Sequence, residues 1–411
     1  MTRPEELGRA DVLVIGAGVL GCAAAYHLAR RGVDVLIVER GELNREASGS
    51  NAGTLHVQMP GKHFRVNYDR PDLTAAEREH VRATDLLYAE AARAWQTLER
   101  ELGSDLGVRR RGGLMVAETE EELGLLERKS RLERPLGIET EILTTRDMLT
   151  IAPHLSERLA GAAYCPEEGF ANPLLVAPAY VRAAARHGAR IRRHAKVLAI
   201  ERAGGRGFRV RTAAGMVEAG RVVCAAGAQT PEIAAMVGLT LPIVPHALQV
   251  MVTEPRPPVL AQLIQHGSRS LSLRQTPHGT FVIGGGWPAQ PPQPPQLPQL
   301  PQLKDVEGAR PRTVLPSIVG SARVVSDVLP CVAGARVLRA WAGMTTATGA
   351  RNRVGIVGEH PREPGFFVLL AGGWGFALSP VLGRLAAELL CDGRPSLPLE
   401  EFSVARWADC A

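Results

Sequence analysis

DVLVIGAGVLGCAAAYHLARRGVDVLIVER, residues 11–40, is the stretch that decides the fold. Asp11–Ile15 is a short apolar run rich in Val and Ile, which predicts a buried parallel strand. The turn Gly16–Gly21 follows at once, and Cys22–Arg30 has the apolar spacing of a helix. Val33–Val38 is a second apolar run. A GxGxxG pattern in this strand–turn–helix–strand order predicts a Rossmann-like unit that binds a dinucleotide.

Each glycine of this turn has a predicted role. Gly16 turns the chain, Gly18 lets a pyrophosphate approach the backbone, and Gly21 lets the helix pack closely on the strand. The positive end of the helix then faces the phosphates. Glu39 lies near the spacing expected for a carboxylate that accepts hydrogen bonds from ribose hydroxyls, and it favours a free ribose over a 2′-phosphate. These residues alone leave both FAD and NAD open.

Length and composition limit the classes of protein. The 411 residues are enough for two domains and a large core. Because no stretch is long and apolar enough to span a bilayer and the polar N-terminus lacks a signal peptide's apolar segment, we expect a cytoplasmic protein without a transmembrane segment. The net charge of +6 is spread along the chain without a nucleic-acid motif, so we expect no nucleic-acid partner. The six cysteines form no CxxC pair and imply no disulfide framework or metal site.

Two later segments repeat the order of strand, glycine turn and helix. Val217–Ala226 runs into the turn Gly227–Ala228. Phe366–Ala371 runs into a glycine loop that precedes a predicted helix, Val381–Cys391. Because these segments lie far from the first unit in the chain, the nucleotide-binding domain is predicted to be discontinuous. Its predicted parts are residues 10–58, 160–235 and 338–411.

Residues 59–159 and 236–337 predict a second, substrate domain. Its strand candidates are Thr240–Thr253, Ser270–Arg274 and Thr280–Gly284. Little helix separates them, which favours a mostly antiparallel sheet, and the amphipathic helices between residues 74 and 132 are expected beside it. Residues 288–303 are rich in Pro and Gln and predict an exposed polyproline-like loop. The fold class is therefore α/β, with a discontinuous Rossmann-like domain and a mostly antiparallel β-sheet domain with flanking helices.

Four motifs support a more specific prediction. They are the fingerprint at 16–21, SGSNAG at 48–53, VVCAAGA at 222–228 and LLAGGWGFALSP at 369–380. With these motifs in this order, the chain resembles the FAD-dependent D-amino-acid oxidase superfamily, whose typical members include glycine oxidase, D-amino-acid dehydrogenase and sarcosine oxidase. Within it, Ser48–Gln58 looks most like the flavoprotein beta subunits of opine oxidases. The resemblance implies FAD rather than NAD, held without a covalent bond.

The resemblance also implies roles for individual residues. Glu39 takes the adenosine ribose, Arg40 lies beside the adenine end, and Val197 pairs its backbone with the adenine. A helix that starts near Pro380 would stabilise negative charge on the reduced flavin. The residues assigned to the cofactor are Gly16, Gly18, Val19, Leu20, Gly21, Glu39, Arg40, Ser48, Asn51, Ala52, Gly53, Val197, Gly227, Ala228, Gly372, Gly373, Trp374, Gly375, Phe376 and Ala377.

The chain departs from the family where the substrate is expected to bind. The family's Trp-Ala-Gly strand usually continues Leu-Arg-Pro, and its arginine clamps the substrate carboxylate. Here Trp341–Met344 is followed by Thr345 and Thr346. Either another arginine binds the carboxylate, or the substrate lacks one, or the site is degenerate. The arginine candidates by neighbourhood are Arg269, Arg274, Arg351 and Arg353. His56 and Gln58, which follow the SGSNAG stretch at 48–53 (the flavin loop), could point at the substrate.

We therefore predict an FAD-dependent dehydrogenase or oxidase that acts on a small amino or imino acid. A neutral amine would donate a hydride to flavin N5 and leave an imine for hydrolysis. The protein therefore has to position the reacting C–H bond near N5 and does not require a strong base. The predicted catalytic residues are His56, Arg269 and Arg274. The opine-oxidase-like loop favours a heteromeric complex with a partner redox subunit. Two alternatives stay open: an FAD-holding subunit with a degenerate site, and an NAD-binding dehydrogenase.

Overall fold

The computed structural model describes residues 6–204, 207–291, 310–348 and 355–407. The strands are β1 (Glu6–Ile15), β2 (Val35–Val38), β3 (Thr54–Leu55), β4 (Gly113–Ala117), β5 (Glu141–Thr144), β6 (Gly161–Cys165), β7 (Gly169–Phe170), β8 (Arg190–Arg192), β9 (Val197–Ala203), β10 (Gly207–Thr212), β11 (Gly215–Cys224), β12 (Ile243–Pro255), β13 (Leu263–His266), β14 (Ser272–Gln275), β15 (Thr280–Gly284), β16 (Val337–Thr348), β17 (Ile356–Glu359) and β18 (Phe366–Leu370). The α-helices are α1 (Val19–Arg30), α2 (Ala47–Ser50), α3 (Gly61–Asn67), α4 (Ala75–Leu102), α5 (Glu120–Glu133), α6 (Thr145–Ile151), α7 (Pro173–Arg186), α8 (Thr230–Ala235), α9 (Leu315–Val328) and α10 (Gly375–Asp392).

The first sheet has the order β17–β18–β11–β1–β2–β8, and β9 and β10 extend it from β11. Its central neighbours pair in parallel, and every residue of β2 and β18 is buried, as apolar runs covered on both faces require. Helix α1 packs against both α7 and α10. A Cβ at Gly383 would lie 2.5 Å from the Ala23 Cβ, so small residues let α1 and α10 pack closely. The predicted Rossmann-like α/β fold is confirmed.

The second sheet has the order β16–β12–β15–β14–β13–β4–β6–β5. Every neighbouring pair in it is antiparallel except β13 with β4, which agrees with the predicted mostly antiparallel sheet. Helix α5 packs on β4 and β6 of this sheet. Strand β13, which lies between predicted strands, was missed by the pattern.

The second sheet also takes strands that the predicted boundaries gave to the nucleotide-binding domain. Strand β16 pairs with β12 along nearly its whole length, so residues 338–348 do not belong to the first sheet. The same holds for β6, which pairs with β4 and β5. Helix α4 packs on α10 rather than beside the second sheet, and its Trp95 Nε1 donates to the Ala377 carbonyl at 2.8 Å.

Helix α10 begins at Gly375, not near Pro380 as predicted. A proline inside a helix removes one backbone donor and leaves the carbonyl four residues earlier without its partner. Here that carbonyl, of Phe376, accepts a hydrogen bond from Ser379 Oγ at 2.9 Å, so the helix continues through Pro380. Contrary to the expectation from the sequence, Gly372–Asp392 is long and apolar enough to cross a membrane, but 72% of its apolar 18-residue stretch is buried, as in the core helix of a folded domain. Most of the Pro/Gln segment, 292–303, lies outside the described residues, as do Arg351 and Arg353.

Candidate functional site

One cavity of about 670 Å³ brings together the N-terminal ends of α1 and α10. The second sheet closes its other side with residues of β12, β13, β14 and β16. This volume is within the range of sites that enclose small molecules and cofactors. Two helix N-termini from distant parts of the chain therefore face one elongated space.

The predicted fingerprint residues form the first end of the cavity. Gly16 has φ +106°, and a Cβ there would lie 2.6 Å from the Ala225 carbonyl oxygen, so only glycine fits this turn. A Cβ on Gly21 would collide with the Gly16 carbonyl, which explains the close packing of helix and strand. At the start of α1, Val19 N donates to Ser48 Oγ at 2.9 Å. A helix N-terminus without an acidic residue in its first turn suits an anionic phosphate group.

Glu39 and Arg40 also line this end, and both have partners. The Glu39 carboxylate accepts hydrogen bonds from Ala17 N and Gly41 N, each at 2.9 Å, which fixes its orientation. A carboxylate has room for further donors, so a ribose hydroxyl can still bind. Arg40 Nη2 pairs with Glu46 Oε1 at 2.7 Å and holds the loop after β2.

The structure separates the predicted cofactor residues into two groups. Gly21 and Gly53 do not line the cavity. Gly53 has φ +75°, and a Cβ there would collide with the Ala171 carbonyl, so its role is in the backbone turn. Asn51 does line the cavity, yet its side-chain amide donates to the Ser48 carbonyl at 2.7 Å and accepts from Gly53 N at 2.7 Å, which orders the loop. The residues that do line the cavity are Gly16, Gly18, Val19, Leu20, Glu39, Arg40, Ser48, Asn51, Ala52, Val197, Gly227, Ala228, Gly372, Gly373, Trp374, Gly375, Phe376 and Ala377.

The other end of the cavity is formed by the glycine loop Gly372–Gly375 at the start of α10. Gly372 has φ +55°, and a Cβ on Gly373 would meet no atom within 4 Å, so this backbone borders open space. The first turn of α10 contains no acidic residue, and its N–H groups are suited to negative charge. Within the described part of the chain, the buried Trp374 Nε1 has no hydrogen-bond partner. Such an orphan donor fits a site whose ligand supplies the acceptor.

His56 lies beside Trp374, with a distance of 6.5 Å between ring centroids. Its Nε2 shares a 2.8 Å hydrogen bond with Thr54 Oγ1. Its Nδ1 lies beside the Gln265 side chain but makes no hydrogen bond of normal geometry. Burial lowers the pKa of His56 to about 4, so the imidazole is neutral at pH 7. A neutral, partly unpaired imidazole on the cavity wall can exchange a hydrogen bond with an amine.

The two arginines predicted to bind the substrate have other partners. Arg269 lines the cavity, but one guanidinium nitrogen pairs with Glu118 and the other with Asp327 at 2.8 Å. Arg274 does not line the cavity. Its Nε donates to the Ala52 carbonyl at 2.6 Å, and burial lowers its pKa to about 10. Arg274 therefore holds the flavin loop in place and is not available as a substrate ligand.

A buried polar network behind the cavity was not predicted from the sequence. Gln58, which we expected to face the substrate, is fully buried and donates to Glu168 Oε2 at 3.2 Å. Gln265, on the cavity wall, donates to the same carboxylate at 2.9 Å. Lys129 Nζ lies 3.3 Å from Gln58 Oε1 and 2.7 Å from Glu133 Oε2. Partners so distant in sequence leave no local pattern, although a Lys–Glu pair at i and i+4 is a weak signal.

This network fixes the segment after the flavin loop. The N–H groups of Val57 and Gln58 both donate to Glu168 Oε1 at 3.0 Å, and Met59 N donates to Glu133 Oε1 at 2.7 Å. Burial raises the pKa of Glu168 to about 6, and it also raises the pKa of Glu133 above its usual value. Carboxylates rather than a neighbouring strand thus satisfy these three backbone donors.

Glu118, Glu122 and His266 lie close enough together to be considered as a metal site. His266 Nδ1, however, accepts hydrogen bonds from Ser268 N and Arg269 N, each at 3.1 Å. The proton of the neutral imidazole must therefore be on Nε2, the atom that faces Glu118 at 3.5 Å. A protonated Nε2 cannot bind a cation, and the Arg269 guanidinium already neutralises Glu118. This group is an ion-pair cluster and not a metal centre.

Comparison with known proteins agrees with this geometry. A family model described as FAD dependent oxidoreductase (DAO) matches residues 11–389. An opine oxidase subunit of Rhizobium meliloti is 27% identical over 413 residues, which cover 97% of each chain. The sarcosine oxidase beta subunit of Rhodobacter capsulatus is 28% identical over 419 residues, which cover 99% of this chain and 90% of that protein. The crystal structure of glycine oxidase from Geobacillus kaustophilus has a TM-score of 0.80 and 26% identity, and the match covers 97% of this chain and 99% of that chain.

The cavity fits the cofactor of that family. The cavity has the N-termini of α1 and α10 on its wall, and backbone at Gly373 and Gly227 borders open space where a side chain would meet nothing within 4 Å. The NAD alternative is rejected, because the model of an FAD-dependent family matches most of the chain. The chain therefore belongs to the FAD-dependent oxidoreductase family of the D-amino-acid oxidase type, and its cofactor is FAD.

Proposed function

We propose that this protein oxidises the C–N bond of a small amino or imino acid, whether a D-amino acid, an N-substituted amino acid, hydroxyproline or an opine. FAD, held without a covalent bond, supplies the hydride acceptor at N5 and passes the electrons on. The observation that carries the proposal is the single cavity with a helix N-terminus at each end and the neutral His56 on its wall. The names of the relatives, glycine oxidase, sarcosine oxidase and opine oxidase, support this class of donor.

Different residues along the cavity bind different parts of FAD and the substrate. The turn Gly16–Leu20 and the start of α1 hold the pyrophosphate, and Glu39 holds the adenosine ribose. The N–H groups that begin α10 face the flavin and stabilise the negative charge that reduction brings. His56 accepts or donates one hydrogen bond with the amine nitrogen at Nδ1 and orients the C–H bond. Trp374 packs against His56 and helps to exclude water.

An anaerobic titration tests this function. The yellow protein is mixed without oxygen with glycine, sarcosine, D-amino acids, D-hydroxyproline and opines in turn. We expect at least one of these amines to bleach the visible absorbance of the flavin. The matching 2-hydroxy acids, which lack the nitrogen, should leave it unchanged. If no amine bleaches the flavin, or if a hydroxy acid does so equally well, the proposal is refuted.

A second function is favoured by one observation. Thr345 and Thr346 line the cavity at the place where the family resemblance expects an arginine. The chain would then hold FAD as one component of a heteromeric dehydrogenase, with a degenerate substrate site of its own. The opine oxidase and sarcosine oxidase relatives are both named as subunits. This alternative predicts bound FAD, no reduction of the isolated chain by any of the amines, and reduction when a co-purified partner is present.

A further inference from the structure

The basic side chains around the cavity are not equivalent. Among the described residues, five of them line it, namely Arg40, Arg45, Lys62, Lys196 and Arg269. Arg40 and Arg45 lie on the loop after β2, and Lys196 precedes the first residue of β9. These three surround the end where Glu39 and Val197 are expected to hold the adenosine. Only Lys62 and Arg269 remain for the end where Trp374 and His56 lie.

Arg269 cannot act as a free cation at that end. Its two terminal nitrogens are each paired with a carboxylate, Glu118 on one side and Asp327 on the other. A substrate carboxylate would have to displace one of them. Arg269 and its two acids together carry no net positive charge, so this group offers nothing that attracts an anion.

Lys62 has no such partner. It lies in the first turn of α3, its side chain is exposed, and no carboxylate of the described chain comes within ion-pair distance of its Nζ. Its neighbours hold its backbone in place. A Cβ on Gly61 would collide with the Gly267 carbonyl, and the His63 ring lies 6.1 Å from the Trp374 ring. Lys62 is therefore a free cation on a fixed backbone, next to the residue that borders the flavin end.

The acidic side chains of the cavity wall lie elsewhere. Glu39, Glu42 and Glu46 lie on the loop after β2, and Glu232 lies on α8. The residues that line the cavity around His56, His63 and Trp374 include no carboxylate in the described part of the chain. An anion at this end would thus meet one unpaired positive charge and no carboxylate on the described lining itself.

We propose that Lys62 Nζ binds the carboxylate of the substrate and takes the place of the arginine that is absent at Thr345–Thr346. The inference rests on the proposed function and narrows it to amines that carry a free carboxylate. A lysine is a compact charge on a flexible stem, so it holds an anion without the fixed two-point geometry of an arginine. It therefore tolerates carboxylates at more than one position relative to the amine.

Binding of a substrate fragment tests this role without turnover. Propionate is titrated into the FAD-loaded protein and followed by the change in the visible flavin spectrum, with uncharged propionamide as the control ligand. The variants are Lys62→Met, Lys62→Arg and the matched control Arg65→Met. Arg65 lies on the same helix and is exposed, but it does not line the cavity.

We expect the wild type and Arg65→Met to bind propionate and not propionamide. Lys62→Met should weaken propionate binding by about 10- to 100-fold, the effect of losing one hydrogen bond to a charged group, and Lys62→Arg should restore most of it. With any amine that bleaches the flavin, Lys62→Met should raise the Kd far more than it lowers the rate of reduction. Equal propionate binding by Lys62→Met and the wild type would overturn the inference. A wild type that binds propionate but is reduced by no amine would refute the proposed function and leave the role of Lys62 intact.

Discussion

Replacing Lys129 by methionine should destabilise the protein far more than removal of an ordinary ion pair. Lys129 and Glu133 are four residues apart on α5, their side chains are 0% and 1% exposed, and Nζ lies 2.7 Å from Oε2. Nearby Asp85 is also fully buried, and burial raises its pKa well above the usual value. Lys129 is therefore the cation that permits Glu133 to stay ionised. Methionine keeps the length of the stem and removes the charge.

The size of the effect follows from the proton that Glu133 must then take up. A glutamate has an ordinary pKa of 4.5. To protonate a carboxyl of that pKa at pH 7 costs about 3.4 kcal/mol, since each pH unit corresponds to about 1.36 kcal/mol. Because burial raises the pKa of Glu133 in the folded protein, about 3.4 kcal/mol is the upper bound of the loss. That figure agrees with the roughly 3–5 kcal/mol found when one partner of a buried ion pair is removed. At pH 5 the same step costs only about 0.7 kcal/mol, so the deficit of the variant should shrink as the pH falls.

Urea denaturation, followed by tryptophan fluorescence at a fixed saturating concentration of FAD, measures this at both pH values. Arg131→Met is the control, because Arg131 and Glu127 form an i, i+4 pair on the same helix at 3.4 Å but are 76% and 46% exposed. We expect that control to lose about 0.5 kcal/mol or less. Glu133→Gln, combined with Lys129→Met, removes the charge that needs neutralising and should recover most of the loss. A loss below about 1 kcal/mol at pH 7, or a double variant as unstable as the single one, would refute this reasoning.

Three further predictions concern the site. Gly16→Ala should reduce the FAD content after gel filtration at least tenfold, because its Cβ would lie 2.6 Å from the Ala225 carbonyl oxygen. Gly124→Ala on α5, which does not line the cavity and has room for a Cβ, should keep full FAD. Glu168 has its pKa raised to about 6 in the folded state from 4.5, so the native protein holds the extra proton and stability should fall by about 2 kcal/mol as the pH rises from 4.5 to 6. The urea midpoint of Glu168→Gln should not fall with pH across that range. A fall as steep as that of the wild type would contradict the raised pKa of Glu168. Burial lowers the pKa of His56 to about 4, so His56 should not titrate between pH 5.5 and 7.5. The rate of flavin reduction should therefore show no change with pH in this range that is due to His56. A pH dependence that is present in the wild type and lost in His56→Ala would contradict this prediction.

The sequence identifies the first end of the cavity well and the other end less well. The fingerprint at 16–21 could be predicted because each glycine has a local steric cause, which the structure bears out at Gly16 and Gly21. The start of α10 was placed five residues late because a proline favours the first turn of a helix. The pattern does not reveal that the Ser379 hydroxyl donates to the Phe376 carbonyl, which Pro380 leaves without its backbone partner.

The substrate end depends on contacts between residues that are distant in the chain. Lys62 was not among the predicted site residues, because a single lysine in a short helix has no distinguishing pattern. Arg274 was, by its neighbourhood in the sequence alone, yet its guanidinium donates to the Ala52 carbonyl. Gln58 was expected near the substrate because it follows the flavin loop, but its backbone N–H and its side-chain amide both donate to the Glu168 carboxylate. These assignments require the tertiary structure.

The two helix ends that face the cavity have a consequence for how the protein is made. Roughly 350 residues separate Val19 from Gly375. A ribosome that adds about 5–20 residues per second needs on the order of 20–70 seconds to synthesise them. A growing chain can fold its first βαβ unit early, but it cannot close around FAD until Asp392 has left the ribosome. Retention of FAD by ribosome-bound chains halted before residue 370 would disprove this order of events. FAD binding is thus a late step in synthesis, and we expect a chain that stops anywhere before α10 to be released without FAD.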